Sequence, residues 1–106
     1  MPQHFTLTPT HHGAFGALAT LAIEGQPTRR FTRQEAAIVS RALAAVVCGA
    51  SDEPQIYMSP IASDCDFSAR VLPQGVTIAC DGARETPLDW EETVDLARAL
   101  DCFGRA

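Results

Sequence analysis

Residues 76–103 read VTIACDGARETPLDWEETVDLARALDCF, and residues 19–46 read ATLAIEGQPTRRFTRQEAAIVSRALAAV. The two stretches align without a gap at an offset of 57 residues. Thr20 falls on Thr77, Ala22 on Ala79, Gly25 on Gly82, Glu35 on Glu92, Arg41 on Arg98 and Leu43 on Leu100. Similarity at a fixed offset is the mark of a repeated structural unit. Seven identities in 28 positions, Ala42 on Ala99 included, are too few to carry that reading alone. The strand, turn and cap signals carry it, because they fall at matching places.

In the second half of the chain Phe67, Ala69 and Val71 alternate with polar residues, as do Val76, Ile78 and Cys80. A period of two predicts half-buried strands. Pro73 and Gly75 mark the turn between them. A two-residue turn at Pro73-Gln74 sets Phe67 opposite Cys80, Ala69 opposite Ile78 and Val71 opposite Val76, so that all six share one face. In the first half Phe5 and Leu7 lie on one strand and Ala19, Leu21 and Ile23 on the next. Their connection, Pro9 to Phe15, is longer and holds His11 and His12.

Both helices begin at caps. Thr32-x-x-Glu35 is a capping box, and Asp89-x-x-Glu92 is its analogue. The first helix is expected from Arg33 to Cys48, ending at Gly49, and the second from Trp90 to Phe103, ending at Gly104. The predicted fold is α+β: an antiparallel sheet of four or five strands with two helices on one face, built as two β-β-α repeats in a single domain, 1–106. Repeat one covers 4–49 and repeat two 64–106. Between them, 50–63 is a linker in which Gln55 to Ser59 can add an edge strand beside Pro60.

Composition narrows the function classes. The chain has 106 residues, a net charge of −5 and 46% apolar residues. It is too apolar for a disordered chain and has no apolar run long enough to span a bilayer. Met1 to Phe5 open no secretion signal, so a cytoplasmic protein is expected. Lys and Asn are absent and all eight basic residues are Arg, which suggests a GC-rich bacterial or phage genome. Residues 1–63 carry four acids and four arginines; residues 64–106 carry nine acids and four arginines. That asymmetry argues against direct nucleic-acid binding and for an acidic surface on the second half. Cys48, Cys65, Cys80 and Cys102 show no C-x-x-C spacing. Four reduced thiols are expected, with Cys80 in the core.

No nucleophile elbow, phosphate loop or H-E-x-x-H is present, so the reading is non-enzymatic, with no cofactor. His11 and His12, with His4 on the preceding strand, are a candidate metal cluster; such a pair in an exposed loop is more often simply solvated. On helical wheels, Ala36, Val39, Leu43, Val46 and Val47 face inward in the first helix. Trp90, Val94, Leu96, Ala97, Leu100 and Phe103 do so in the second. Glu91, Glu92 and Asp95 form an acidic outer face. Arg29, Arg30 and Arg33 cluster at the start of the first helix, where cations oppose its dipole. These six are candidate partner-binding residues.

On the outer side of the first helix Ile38, Ala42 and Ala45 make an apolar stripe with Arg41 beside it. This is a candidate homodimer interface, unless residues 54–61 fold over it. The leading expectation is a small acidic protein-binding module that self-associates. One alternative is an inhibitor of the anti-CRISPR kind, whose acidic face occupies a basic nucleic-acid-binding surface. The other is a small enzyme or metal protein using the His11/His12 loop.

Overall fold

The computed structural model describes residues 4–63, 65–79 and 85–105. The chain runs β1 (Phe5–His12), β2 (Gly16–Ile23), β3 (Arg29–Thr32), α1 (Arg33–Val47), β4 (Gln55–Met58), β5 (Phe67–Leu72), β6 (Gly75–Ala79), β7 (Thr86–Asp89) and α2 (Trp90–Arg105). The class is α+β with antiparallel pairing throughout. The expected single sheet is instead two: β1-β2-β3 and β4-β5-β6-β7.

The difference comes from β3 and β7. Each is a four-residue strand between a hairpin and its helix, in a stretch that reads as loop and cap. Arg29 points inward beside Phe31, so β3 shows no alternation of apolar and polar types. Pro87 sits on the edge strand β7, where a missing backbone donor is tolerated. With β3 and β7 counted, each half ends as strand, strand, strand, helix. β2 pairs with β3 as Leu18↔Thr32 to Leu21↔Arg29, and β6 with β7 as Gly75↔Asp89 to Ile78↔Thr86. Adding 57 to each residue of the first register produces the second.

The β5–β6 hairpin has the expected register, Ala69↔Ile78 and Val71↔Val76; the pairing expected of Cys80 lies outside the described residues. β4 joins the second sheet at its edge and sends Ile56 into the core. One core holds Phe5, Leu21 and Phe31 of the first sheet, Phe67, Ile78 and Leu88 of the second, and the inner faces of both helices. α1 packs on β2 and β3 and also on β4 of the other sheet; α2 packs on β6 and β7 and also on β1. The helices thus clamp the two sheets together.

α1 opens on the capping box, with the Thr32 hydroxyl accepting from the Glu35 N–H and the Glu35 carboxylate from the Thr32 N–H. α2 does not stop before Gly104, as expected, but runs through it to Arg105. Gly104 serves helix packing. A Cβ there would lie 3.1 Å from the Ala37 Cβ and 3.2 Å from the Arg33 carbonyl oxygen. Near the middle of the crossing the Ser40 hydroxyl donates to the Ala97 carbonyl at 2.8 Å. Ser40 and Ala97 are themselves 57 residues apart, so the helices cross near equivalent points of the two halves.

Candidate protein-binding surface

The expected arginine cluster is dispersed. Arg29 is fully buried, not solvent-facing. It lies on the inward side of β3, where its guanidinium spans the gap between the sheets. Nε donates to the Asp66 carbonyl at 2.7 Å and Nη2 to the Ala79 carbonyl at 3.0 Å. The group also packs over the Phe67 ring, 5.9 Å from its centroid. Burial lowers the Arg29 pKa and the charge of Asp66 opposes the shift; an arginine has ample margin to stay protonated near neutrality. Arg29 is therefore a structural tie and is removed from the binding set. Arg30 is exposed. Arg33 lies over the Phe103 ring at 5.8 Å and helps join α1 to α2.

The acidic face is likewise divided. Glu92 is half-buried and accepts from the His4 ring at 2.7 Å and the His4 backbone N–H at 3.2 Å, tying the start of the chain to α2. The hydrogen bond and charge of Glu92 raise the His4 pKa above 6.5. Asp95 is half-buried and partnered. Glu91 is exposed. The three carboxylates do not form one free patch.

On α1, Ala42 packs against the core, Ala45 is half-buried, and Ile38 stays 44% exposed. Residues 54–61 do not bury Ile38: Ile56 turns into the core, Tyr57 is exposed, and Ile61 is 70% exposed. The Ile61 N–H donates to the Glu35 carboxylate at 2.9 Å. The same carboxylate accepts from the Thr32 N–H, so the contact places Ile61 at the start of α1.

Arg41 stands one turn on from Ile38, at the edge of the stripe that faces α2. It lines a groove of about 380 Å³ between α1 and α2. The floor is aliphatic, with Ala44 and Val47 from α1 and Val94 and Ala97 from α2. Val47 and Val94, expected to face the core, are half-buried here. Arg41, Arg98, Arg105 and Asp101 form the rim. Sequence reading paired Arg41 with Arg98 by offset but did not bring them to one surface, because it placed the helices separately on a sheet.

The histidines do not converge. His11 and His12 are neighbours on β1, so their side chains leave opposite faces of the strand. The His12 ring accepts from the Ala14 N–H at 3.0 Å and packs on Phe15, while His4 is held by Glu92. The expectation of four reduced thiols fails at Cys65, which is buried and disulfide-bonded; Cys48 and Cys102 are free and exposed. Cys80 lies outside the described residues. Linear spacing does not show which cysteine β-carbons come within the roughly 4 Å a disulfide needs.

No helix among the described residues is long and apolar enough to cross a membrane. No protein-family model, curated protein or solved structure matches the chain.

Proposed function

We propose that the protein is a non-enzymatic protein-binding module whose contact surface is the outer side of the α1–α2 pair. The observation that supports this most is the groove between the helices. Its aliphatic floor is the outer edge of the helix–helix contact, where the exposed Ala44 and the half-buried Val47 and Val94 meet Ala97 of the core cluster. A concave apolar floor with a few charged groups at its rim is how proteins take up side chains of a partner. We also read the two halves as copies of one unit, on the shared register of β2–β3 and β6–β7. Ala44 is exposed and lines the groove, so Ala44→Trp obstructs it without replacing a core residue. Peptides selected from a random display library on the wild-type protein are expected to lose binding to Ala44→Trp. Ligands all indifferent to that change would overturn the reading.

Self-association is a second reading, favoured by Ile38 of α1 and Ile61 of the segment tied to its start both standing exposed. It predicts a dimer by light scattering that Ile38→Glu converts to a folded monomer. A wild-type protein that is monomeric at high concentration removes it. The inhibitor reading has less support, since Glu92 is engaged by His4 and Asp95 is partnered. The disulfide at Cys65 counts against the expected cytoplasmic setting, because reducing compartments keep thiols free.

A further inference from the structure

The groove has a charge opposite to that of the chain. The protein carries −5 overall, yet three of its eight arginines and a single acid stand at this rim. Arg105 is paired with Asp101 at 2.9 Å. Arg41 and Arg98 have no carboxylate partner among the described residues; Arg41 makes only a 3.3 Å contact to the Ala37 carbonyl of its own helix. Both are exposed. They are 57 residues apart in sequence, each one position beyond the Ser40–Ala97 contact where the helices cross. The groove therefore presents one unpaired guanidinium from each helix, set about the same crossing point.

Three kinds of occupant can be weighed. A second copy laid groove to groove would set arginines against arginines, and like charges in opposition disfavour that contact. A nucleic acid would meet a protein of net negative charge and a floor with no aromatic ring on which to stack a base. An acidic amphipathic segment of another protein matches both features, placing aliphatic side chains on the floor and carboxylates at the rim. Guanidinium suits that pairing because it can bind a carboxylate through two parallel N–H bonds.

Resting on the reading of this groove as a protein-binding surface, we propose that its occupant is an acidic amphipathic segment of another protein, bound by carboxylates at Arg41 and Arg98 over the Ala44–Val94 floor.

The test uses three fluorescein-labelled helical peptides with one Leu/Ala pattern, whose polar positions are all Glu, all Gln or all Lys. Binding to the full chain is followed by anisotropy. The Glu peptide is expected to bind and the Lys peptide not to bind. Binding of the Glu peptide should weaken with salt and fall about tenfold or more in Arg41→Glu/Arg98→Glu, since each pair is lost and replaced by repulsion. The double variant should bind the Lys peptide instead. Both changes are at exposed positions, and circular dichroism checks that the fold persists.

Equal binding of all three peptides, lost in Ala44→Trp but unchanged in the arginine variant, would overturn the acidic occupant and leave the groove reading standing. Failure of every peptide to bind would overturn both. A labelled single-stranded oligonucleotide that binds through Arg41 and Arg98 would overturn the proposal in favour of nucleic acid.

Discussion

β3 and β7 occupy matching places in the two halves, yet they join the sheets by different chemistry. At the inward position that pairs with Leu21, β3 carries Arg29; 57 residues on, at the position that pairs with Ile78, β7 carries Thr86. Arg29 crosses to the second sheet and binds carbonyls of Asp66 and Ala79. The Thr86 hydroxyl crosses the other way and donates to the Glu24 carbonyl at 2.7 Å. Gln26 supplements it, its amide reaching the Ile78 carbonyl at 2.7 Å and the Thr86 hydroxyl at 3.2 Å. A long cation thus does alone what a short hydroxyl does with a helper. A strand with the same register on both sides fixes where a tie must sit, but leaves open which polar group makes it.

A second pair sharpens the same comparison. Leu18 and Gly75 start the two registers. Leu18 is buried in β2, just past a hairpin loop that is not the long connection expected over Pro9 to Phe15, since pairing runs on to His12↔Gly16. Gly75 closes a tight turn at φ +156°, and a Cβ there would collide with the Leu88 carbonyl oxygen and lie 2.8 Å from the Asp89 Cα. Gly75→Ala is therefore expected to cost about 3 kcal/mol or more, since backbone, not a flexible side chain, must move. A variant with near wild-type stability in urea would show that β6 and β7 can separate where β2 and β3 do not need to.

Arg29→Ala comes next. It removes a buried guanidinium and its packing on Phe67, and strands two carbonyls, at a cost of about 3 kcal/mol. Thr86→Val at the matching position keeps the volume and loses only the hydroxyl, for about 1–2 kcal/mol. Equal costs in denaturant titrations would break the contrast between the two ties.

The disulfide at Cys65 follows. Without reductant the denatured chain should show two reactive thiols, belonging to Cys48 and Cys102, and four after reduction. Reduction should lower stability by about 2–4 kcal/mol, within the range for small domains. A count of four without reductant would restore the expectation of free thiols throughout.

The smallest effect is the tie between His4 and Glu92. Its folded pKa lies above 6.5 because the protonated ring binds a carboxylate. The pair's contribution is present in full below about pH 6.5 and fades as pH rises through the higher folded value. His4→Ala should therefore destabilise the protein more at pH 6 than at pH 9. A difference between mutant and wild type that is constant across that range would show that the tie does not depend on the charge of His4.

Much of the local structure was legible in the residues themselves. The period-two runs at 67–71 and 76–80 set the β5–β6 register, since a slip of one residue would turn every apolar side chain to the wrong face. Thr32 and Asp89 marked the helix starts, because the first backbone N–H groups of a helix need an acceptor close in sequence. These are short-range effects, and short-range signals carry them. The tertiary structure decided what depends on residues far apart in the chain. It divided the strands between two sheets, buried Arg29 against carbonyls 37 and 50 residues away and bonded Cys65. It made Gly104 a point of helix contact and not a helix end. It also brought Arg41 and Arg98 to one groove while drawing Glu92 onto His4. The outer helical surface therefore has a basic centre that the sum of its charges conceals. A charge count along the sequence cannot show this, because the sign of a surface is set by which side chains the fold places side by side.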